Sequence, residues 1–127
     1  MNKTVVLVAE DNADARDLLS VLLEGEGFVV VTANDGEKAL QLLDEIRPDV
    51  IVTDLLLPLV GGGELIRYVR KRADLADVPI VVTSAYGRHY ETEALEAGAT
   101  VVMQKPINAD QLISTIRSRQ HSQLPQA

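Results

Sequence analysis

Cysteine is absent from the 127 residues, which excludes disulfides, thiolate chemistry and cysteine-ligated metals. Histidine occurs only at 89 and 121, too few for an all-nitrogen zinc site. Aromatic residues make up 3% of the chain, so its core must be built from Val, Leu, Ile and Ala. No apolar run approaches the roughly 18 residues of a membrane-spanning helix. The first apolar run, Val5–Ala9, is shorter than the roughly 7–15 residues of a secretion signal. Positive charge is also scarce: 12 Lys and Arg face 19 Asp and Glu, for a net charge of −7. An acidic domain is a poor partner for a phosphate backbone or an anionic membrane. These absences predict a soluble cytoplasmic domain that touches neither nucleic acid nor membrane.

What is present is an aliphatic, rhythmic chain, 46% hydrophobic and of a length that suits one domain. Five β-branched apolar runs recur: Val5–Ala9, Phe28–Ala33, Val50–Thr53, Pro79–Thr83 and Thr100–Met103. None alternates apolar with polar, as expected of strands covered on both faces in a parallel sheet. Helical periodicity fills the gaps. Ala15, Leu18, Leu19, Leu22 and Leu23 form one stripe after Asp14, closed by Gly25 or Gly27. Ala39, Leu40, Leu43 and Ile46 form a second, opened by Asp35-Gly36 and closed by Pro48. Leu65, Ile66 and Val69 mark a third with an exposed basic end at Arg70, Lys71 and Arg72; Glu91–Ala97 marks a fourth, stopped by Gly98. Asn108-Ala-Asp-Gln111 reads as a capping box for a fifth, carrying Leu112, Ile113 and Ile116. Strand and helix alternating five times predict an α/β sandwich with a parallel sheet between helical layers. Residues 118–127 read as a C-terminal tail or linker stub beyond a domain spanning 1–117.

In such a sheet, ligands bind beyond the carboxyl ends of the strands. Glu10 and Asp11 follow the first strand, Asp54 the third, Ser84 the fourth and Lys105 the fifth. Singly, each has a bland explanation: adjacent acids are common, a strand-end aspartate often caps a turn, and Lys-Pro can be a plain turn. Jointly, they place three carboxylates, a hydroxyl and an ammonium on one rim. Carboxylates brought together repel unless a cation lies between them. Hard oxygen donors without thiolate or imidazole suit Mg²⁺ or Mn²⁺. An adjacent lysine and hydroxyl then suit a phosphoryl group, with Asp54 as the carboxylate nucleophile.

This combination, with Pro58, Gly62, Ala85 and Pro106 beside it, resembles the receiver domain of bacterial two-component response regulators over roughly residues 3–117. The resemblance implies a flavodoxin-like (βα)5 fold of strand order 2-1-3-4-5. It implies a stand-alone switch that takes a phosphoryl group from a histidine kinase or phosphotransfer protein onto Asp54. Asp11 and Asp54 would bind Mg²⁺ directly, Glu10 mostly through water, and Leu56 through its backbone carbonyl. Lys105 would pair with the phosphoryl group, Ser84 would be the switch hydroxyl, and the Lys105–Pro106 peptide would be cis. The fourth helix, fifth strand and fifth helix would present the output face to an effector protein or a second copy. The family's switch aromatic falls at Val102, where no ring is available, so coupling to that face would be altered. Leu56 and Tyr86 flank the expected phosphoryl position and would shield it from water. Gly61-Gly62-Gly63 lacks the Lys and Ser/Thr of a nucleotide loop and reads as a turn. Two other readings stay open. One is a receiver-like interaction module that is not phosphorylated. The other is an aspartyl-phosphate phosphatase or mutase, disfavoured by Leu56 where an acid would protonate the leaving group. The switch reading makes the protein no enzyme beyond its own phosphorylation and dephosphorylation.

Overall fold

Five parallel strands carry the architecture: β1 (Val5–Ala9), β2 (Val29–Ala33), β3 (Val50–Asp54), β4 (Ile80–Ser84) and β5 (Val101–Gln104). The computed structural model describes residues 3–85 and 88–122, with side chains described except at 88, 89 and 120–122. The sheet order is β2-β1-β3-β4-β5, the flavodoxin-like order that the resemblance implies. The helices are α1 (Ala13–Gly25), α2 (Gly36–Leu43), α3 (Gly62–Lys71), α4 (Arg88–Ala97) and α5 (Ala109–Ser122).

Strand side chains alternate between two apolar cores, one on each face of the sheet. Leu7, Ile51, Ile80 and Val82 join Leu43, Leu65, Ile66 and Val69 from α2 and α3. Val6, Val8, Val50, Val52 and Val81 join Leu23 from α1 and Leu112, Ile113 and Ile116 from α5. Leu7 and Ile51 are fully buried, and truncating either to alanine costs about 2–5 kcal/mol. The expectation of cover on both faces holds for β3 and β4, every residue of which is buried. It fails for β2, where Val29 and Thr32 are exposed, because an edge strand is flanked by helices only in part.

Helix ends show where the sequence reading fell short. Asn12 caps α1, accepting a hydrogen bond from the Ala15 N–H at 2.8 Å, so the helix starts before Asp14. On the same helix, Leu18 is 59% exposed although it lies in phase with the apolar stripe. The stripe is broader than the sheet covers. α2 stops at Leu43, well before Pro48, and Ile46 lies in the turn that follows. The basic end of α3 is not simply exposed. Arg70 is half-buried and donates to the carbonyls of Gly98, Ala76 and Val78 at 2.9, 3.0 and 2.7 Å. Arg72 turns to Asp74 and the Leu43 carbonyl. As the Asn108 box predicts, its side chain accepts from the Gln111 N–H at 2.9 Å. α5 continues through Ser122, into the segment read as a tail.

Candidate functional site

Strand phase aims the site. Val6 and Val8 point into the core beneath α1 and α5, and Glu10 is the next residue in that phase. Val50 and Val52 do the same on β3, and Asp54 follows them. On β5 the sequence runs from Met103 to Lys105. The register keeps the strand ends level: Ala9 lies opposite Thr53, Asp54 opposite Thr83, and Thr83 opposite Met103. Three side chains distant in sequence therefore leave the sheet on one side at one height.

Lys105 holds two of the carboxylates. Its Nζ lies 2.9 Å from Asp54 Oδ2 and 3.1 Å from Glu10 Oε1. The second oxygen of each acid accepts from the backbone: Glu10 Oε2 from the Asn12 N–H at 3.1 Å, and Asp54 Oδ1 from the Leu56 N–H at 3.3 Å. Glu10 and Asp54 are buried, and Asp11 is exposed at the pocket mouth. Burial disfavours the Lys105 ammonium, but its hydrogen bonds to Asp54 and Glu10 and their charges outweigh that. Its pKa is held above the ordinary lysine value. The Lys105 N–H also donates to the Ser84 carbonyl at 2.8 Å, tying the ends of β5 and β4 together. The Lys105–Pro106 peptide is cis, as the resemblance implies.

The loop after Asp54 is pressed against its surroundings. Gly62 opens α3 with its N–H on the Leu55 carbonyl at 2.9 Å. A Cβ there would lie 2.6 Å from the carbonyl oxygens of Asp54 and Leu55. Only glycine lets α3 start this close to the strand end. Gly36, at the start of α2, is likewise packed against the Val60 backbone and donates to the Pro58 carbonyl at 3.3 Å.

The structure thus brings together Glu10, Asp11, Asp54 and Lys105. Ser84 is fully buried at the end of β4, in phase with Ile80 and Val82. Val102 is half-buried and packs on the core beneath α3 and α4. Leu56 is 47% exposed at the rim. Tyr86, the second proposed shield, lies outside the described residues. Sequence reasoning missed Asn12 and Arg16. Asn12 carried a readable signal, an Asn three residues before Ala15 with Asp14 in the first turn. Arg16 carried none, because its Nη1 bonds backbone, the Glu10 carbonyl at 3.0 Å and the Asp11 carbonyl at 3.5 Å.

The donor chemistry fits a small divalent cation. Carboxylate oxygens from Glu10, Asp11 and Asp54 all lie within 4.8 Å of one another. Oxygens around one octahedral Mg²⁺ stand on the order of 3–4 Å apart, so these acids can share the ion directly or through one of its waters. Among the described residues no nitrogen or sulfur ligand joins the cluster. A pocket with three acids and one lysine keeps a negative balance that suits a dication.

The fold and this acidic rim define a phosphoacceptor-type α/β domain. Residues 6–117 match the family described as the response regulator receiver domain, and the chain belongs to that family. It is 36% identical over 115 residues to the DNA-binding response regulator MtrA of Mycobacterium tuberculosis, covering 90% of this chain and 49% of that protein. It therefore spans about half the length of the curated MtrA relatives it matches. A 14.6 kDa uncharacterized protein of Leptolyngbya boryana, encoded 3′ of sodA1, is 34% identical over 113 residues, 88% of this chain and 86% of that one. Among solved structures, the chemotaxis response regulator CheY4 of Vibrio cholerae superposes with TM-score 0.87 at 29% identity, over 93% of this chain and 99% of that one. The receiver domain of the Pseudomonas aeruginosa sensor histidine kinase PA1611, with magnesium coordinated in its active-site cleft, gives 0.87 at 25% identity, over 94% and 99%. Receiver domains act as signalling switches, and the Glu10, Asp11 and Asp54 pocket fits the family's phosphoacceptor site. Among the described residues no helix is long and apolar enough to cross a membrane.

Proposed function

We propose that Asp54 is the phosphoacceptor of a cytoplasmic two-component switch. The reading rests on one observation: Asp54 lies in a cluster of three carboxylates and is clamped by Lys105 at 2.9 Å. Asp11 and Asp54, with Glu10 mostly through water and the Leu56 backbone carbonyl, would hold Mg²⁺, for which Mn²⁺ would substitute. The bound ion supplies positive charge against the phosphoryl oxygens. An Asp54 carboxylate oxygen attacks phosphorus as the N–P bond of a donor phosphohistidine breaks, and the electron pair returns to imidazole nitrogen. Lys105 moves from Asp54 oxygen to a phosphoryl oxygen, and the Ser84 hydroxyl donates to another. No general base is needed, because the attacking group is already an anion.

The donor reaches this pocket from the α1 side. Ala15, Leu18, Leu22, Pro106 and Ile107 line an apolar groove of about 270 Å³ that borders Glu10 and Lys105. A histidine kinase or phosphotransfer protein docking there would bring its phosphohistidine to the rim. Output would leave through α4, β5 and α5, to an effector or a second copy. Coupling to that face is altered, since Val102 offers no ring to fill space vacated by Ser84. The DNA-binding role named for the MtrA relatives is theirs; this acidic domain would act on a partner rather than on DNA. The receiver proper would occupy 1–117, with 118–127 as a tail that begins inside the last turns of α5.

The test is intact mass after incubation with Mg²⁺ and acetyl phosphate. One added phosphoryl group is expected, absent in Asp54→Asn and absent with EDTA. An unchanged mass in the wild type would leave only a non-phosphorylated interaction module. Onward transfer of the group to small alcohols would indicate a phosphatase or mutase instead.

A further inference from the structure

We propose that Arg16 is a positioning residue for the cation site, acting through the backbone of the turn that carries the acids. The inference rests on the Mg²⁺ reading above. Glu10 and Asp54 are each pinned twice, by Lys105 and by a backbone N–H. Asp11 is different. Among the described residues its carboxylate accepts no hydrogen bond, and it is exposed. Its place in the cluster therefore depends on its backbone. That backbone is what Arg16 grips: Nη1 lies 3.0 Å from the Glu10 carbonyl and 3.5 Å from the Asp11 carbonyl. The 3.0 Å bond anchors the peptide plane before Asp11, the longer contact reaches the plane after it, and together they restrict the direction of the Asp11 Cα–Cβ bond. The far side of the turn is fixed too. Glu10 N–H donates to the Ala33 carbonyl at 3.0 Å, and Asn12 caps α1.

Arg16 is suited to this task. It stands in the first turns of α1, its own N–H on the Asn12 carbonyl at 2.9 Å, so its base moves with the turn it holds. Among the described residues no carboxylate lies within ion-pair distance of it. Both contacts come from one guanidinium nitrogen, and a lysine ammonium would keep the charge but not the length and planarity that bring that nitrogen to the turn. Partners that orient metal ligands typically govern 10–100-fold in metal affinity.

Mg²⁺ affinity by isothermal titration calorimetry on wild type, Arg16→Met and Arg16→Lys tests the proposal. Arg16→Met keeps the aliphatic stem and removes the donors. Its dissociation constant should rise about tenfold or more, and Arg16→Lys should fall between it and wild type. The direction is diagnostic. Deleting a positive charge near a dication site would by itself tighten Mg²⁺ binding, so weakening reports lost geometry. A merely structural role would lower stability and leave affinity alone. As a second readout, ¹⁵N relaxation in the metal-free protein should show the Asp11 and Asn12 amides becoming mobile in Arg16→Met. Equal or tighter Mg²⁺ binding in Arg16→Met, or amides as ordered as in wild type, overturns the proposal. If Arg16→Met does not fold, Arg16→Gln is judged by the same two measurements. Wild type that binds no Mg²⁺ defeats the functional reading itself, a result distinct from wild type that binds and variants that match it.

Discussion

Lys105 is held between Asp54 and Glu10, and its replacement by methionine leaves two buried carboxylates without their shared donor. The metal-free Lys105→Met variant is expected to lose about 1–3 kcal/mol at pH 7 by urea unfolding. The pH dependence has a definite sign. The folded-state pKa of Lys105 is raised above the 10.5 of a free lysine by its two acid partners. The stability it contributes is therefore complete below 10.5 and is lost as pH rises through the higher folded-state value. The gap between wild type and Lys105→Met should be full at pH 7 and should close as pH rises above 10.5. A gap that widens with alkali would show that the ammonium is not what stabilises the pair. At this scale the site was legible in outline. Glu10, Asp11, Asp54 and Lys105 stood at strand ends, and the parallel topology forces strand ends to one rim. Arg16 was not legible, because it acts on carbonyls, which every residue has, rather than on a side chain that sequence spacing could reveal.

Helix α3 begins with three glycines whose roles differ. Gly61 is its N-cap, with φ −68° and ψ 162° and no side chain to accept a hydrogen bond. A Cβ there meets nothing within 4 Å. Gly61→Ser should stabilise the protein by about 0.5–1 kcal/mol, from a new cap and a less flexible unfolded chain, read as a higher urea midpoint. Gly62→Ala should do the reverse. Its methyl would drive into the carbonyls of Asp54 and Leu55, so it should cost about 2 kcal/mol or more, and it should weaken Mg²⁺ binding because Asp54 moves. If Gly62→Ala proved neutral while Gly61→Ser destabilised, the packing described for this loop would be wrong. The strands were readable to within a residue or two because β-branched runs bounded by turn residues have few alternatives. Helix ends were less so. α2 stops at Leu43 although its apolar period runs on to Ile46, since the bonds tighten to i→i−3 at Asp44 and Glu45 before a last i→i−4 bond from the Ile46 N–H to the Leu42 carbonyl.

The molecule divides its work between the two ends of the sheet. The carboxyl ends gather acids that repel one another, while the amino ends are stapled by Arg70. From α3, that side chain reaches the carbonyls of Ala76 and Val78 ahead of β4, and Gly98 and the Thr100 hydroxyl ahead of β5. It joins α3, α4, β4 and β5 at the end remote from the pocket. Its contacts and the site lie about one strand length apart, roughly 15 Å for five residues. Arg70→Ala should therefore cost about 2–3 kcal/mol of stability, since three part-buried carbonyls lose a charged donor together. Arg70→Lys should recover little, because one ammonium cannot reach carbonyls spread over two loops. Neither variant should change Mg²⁺ affinity or the mass gained from acetyl phosphate at a temperature where both are folded. Separation also predicts additivity: the Arg70→Ala, Lys105→Met double variant should lose the sum of the single losses to within about 0.5 kcal/mol. A coupling well above that, or a Mg²⁺ affinity that moves with Arg70, would mean the two ends of the sheet communicate. The stabilising and reactive regions could then no longer be treated as independent.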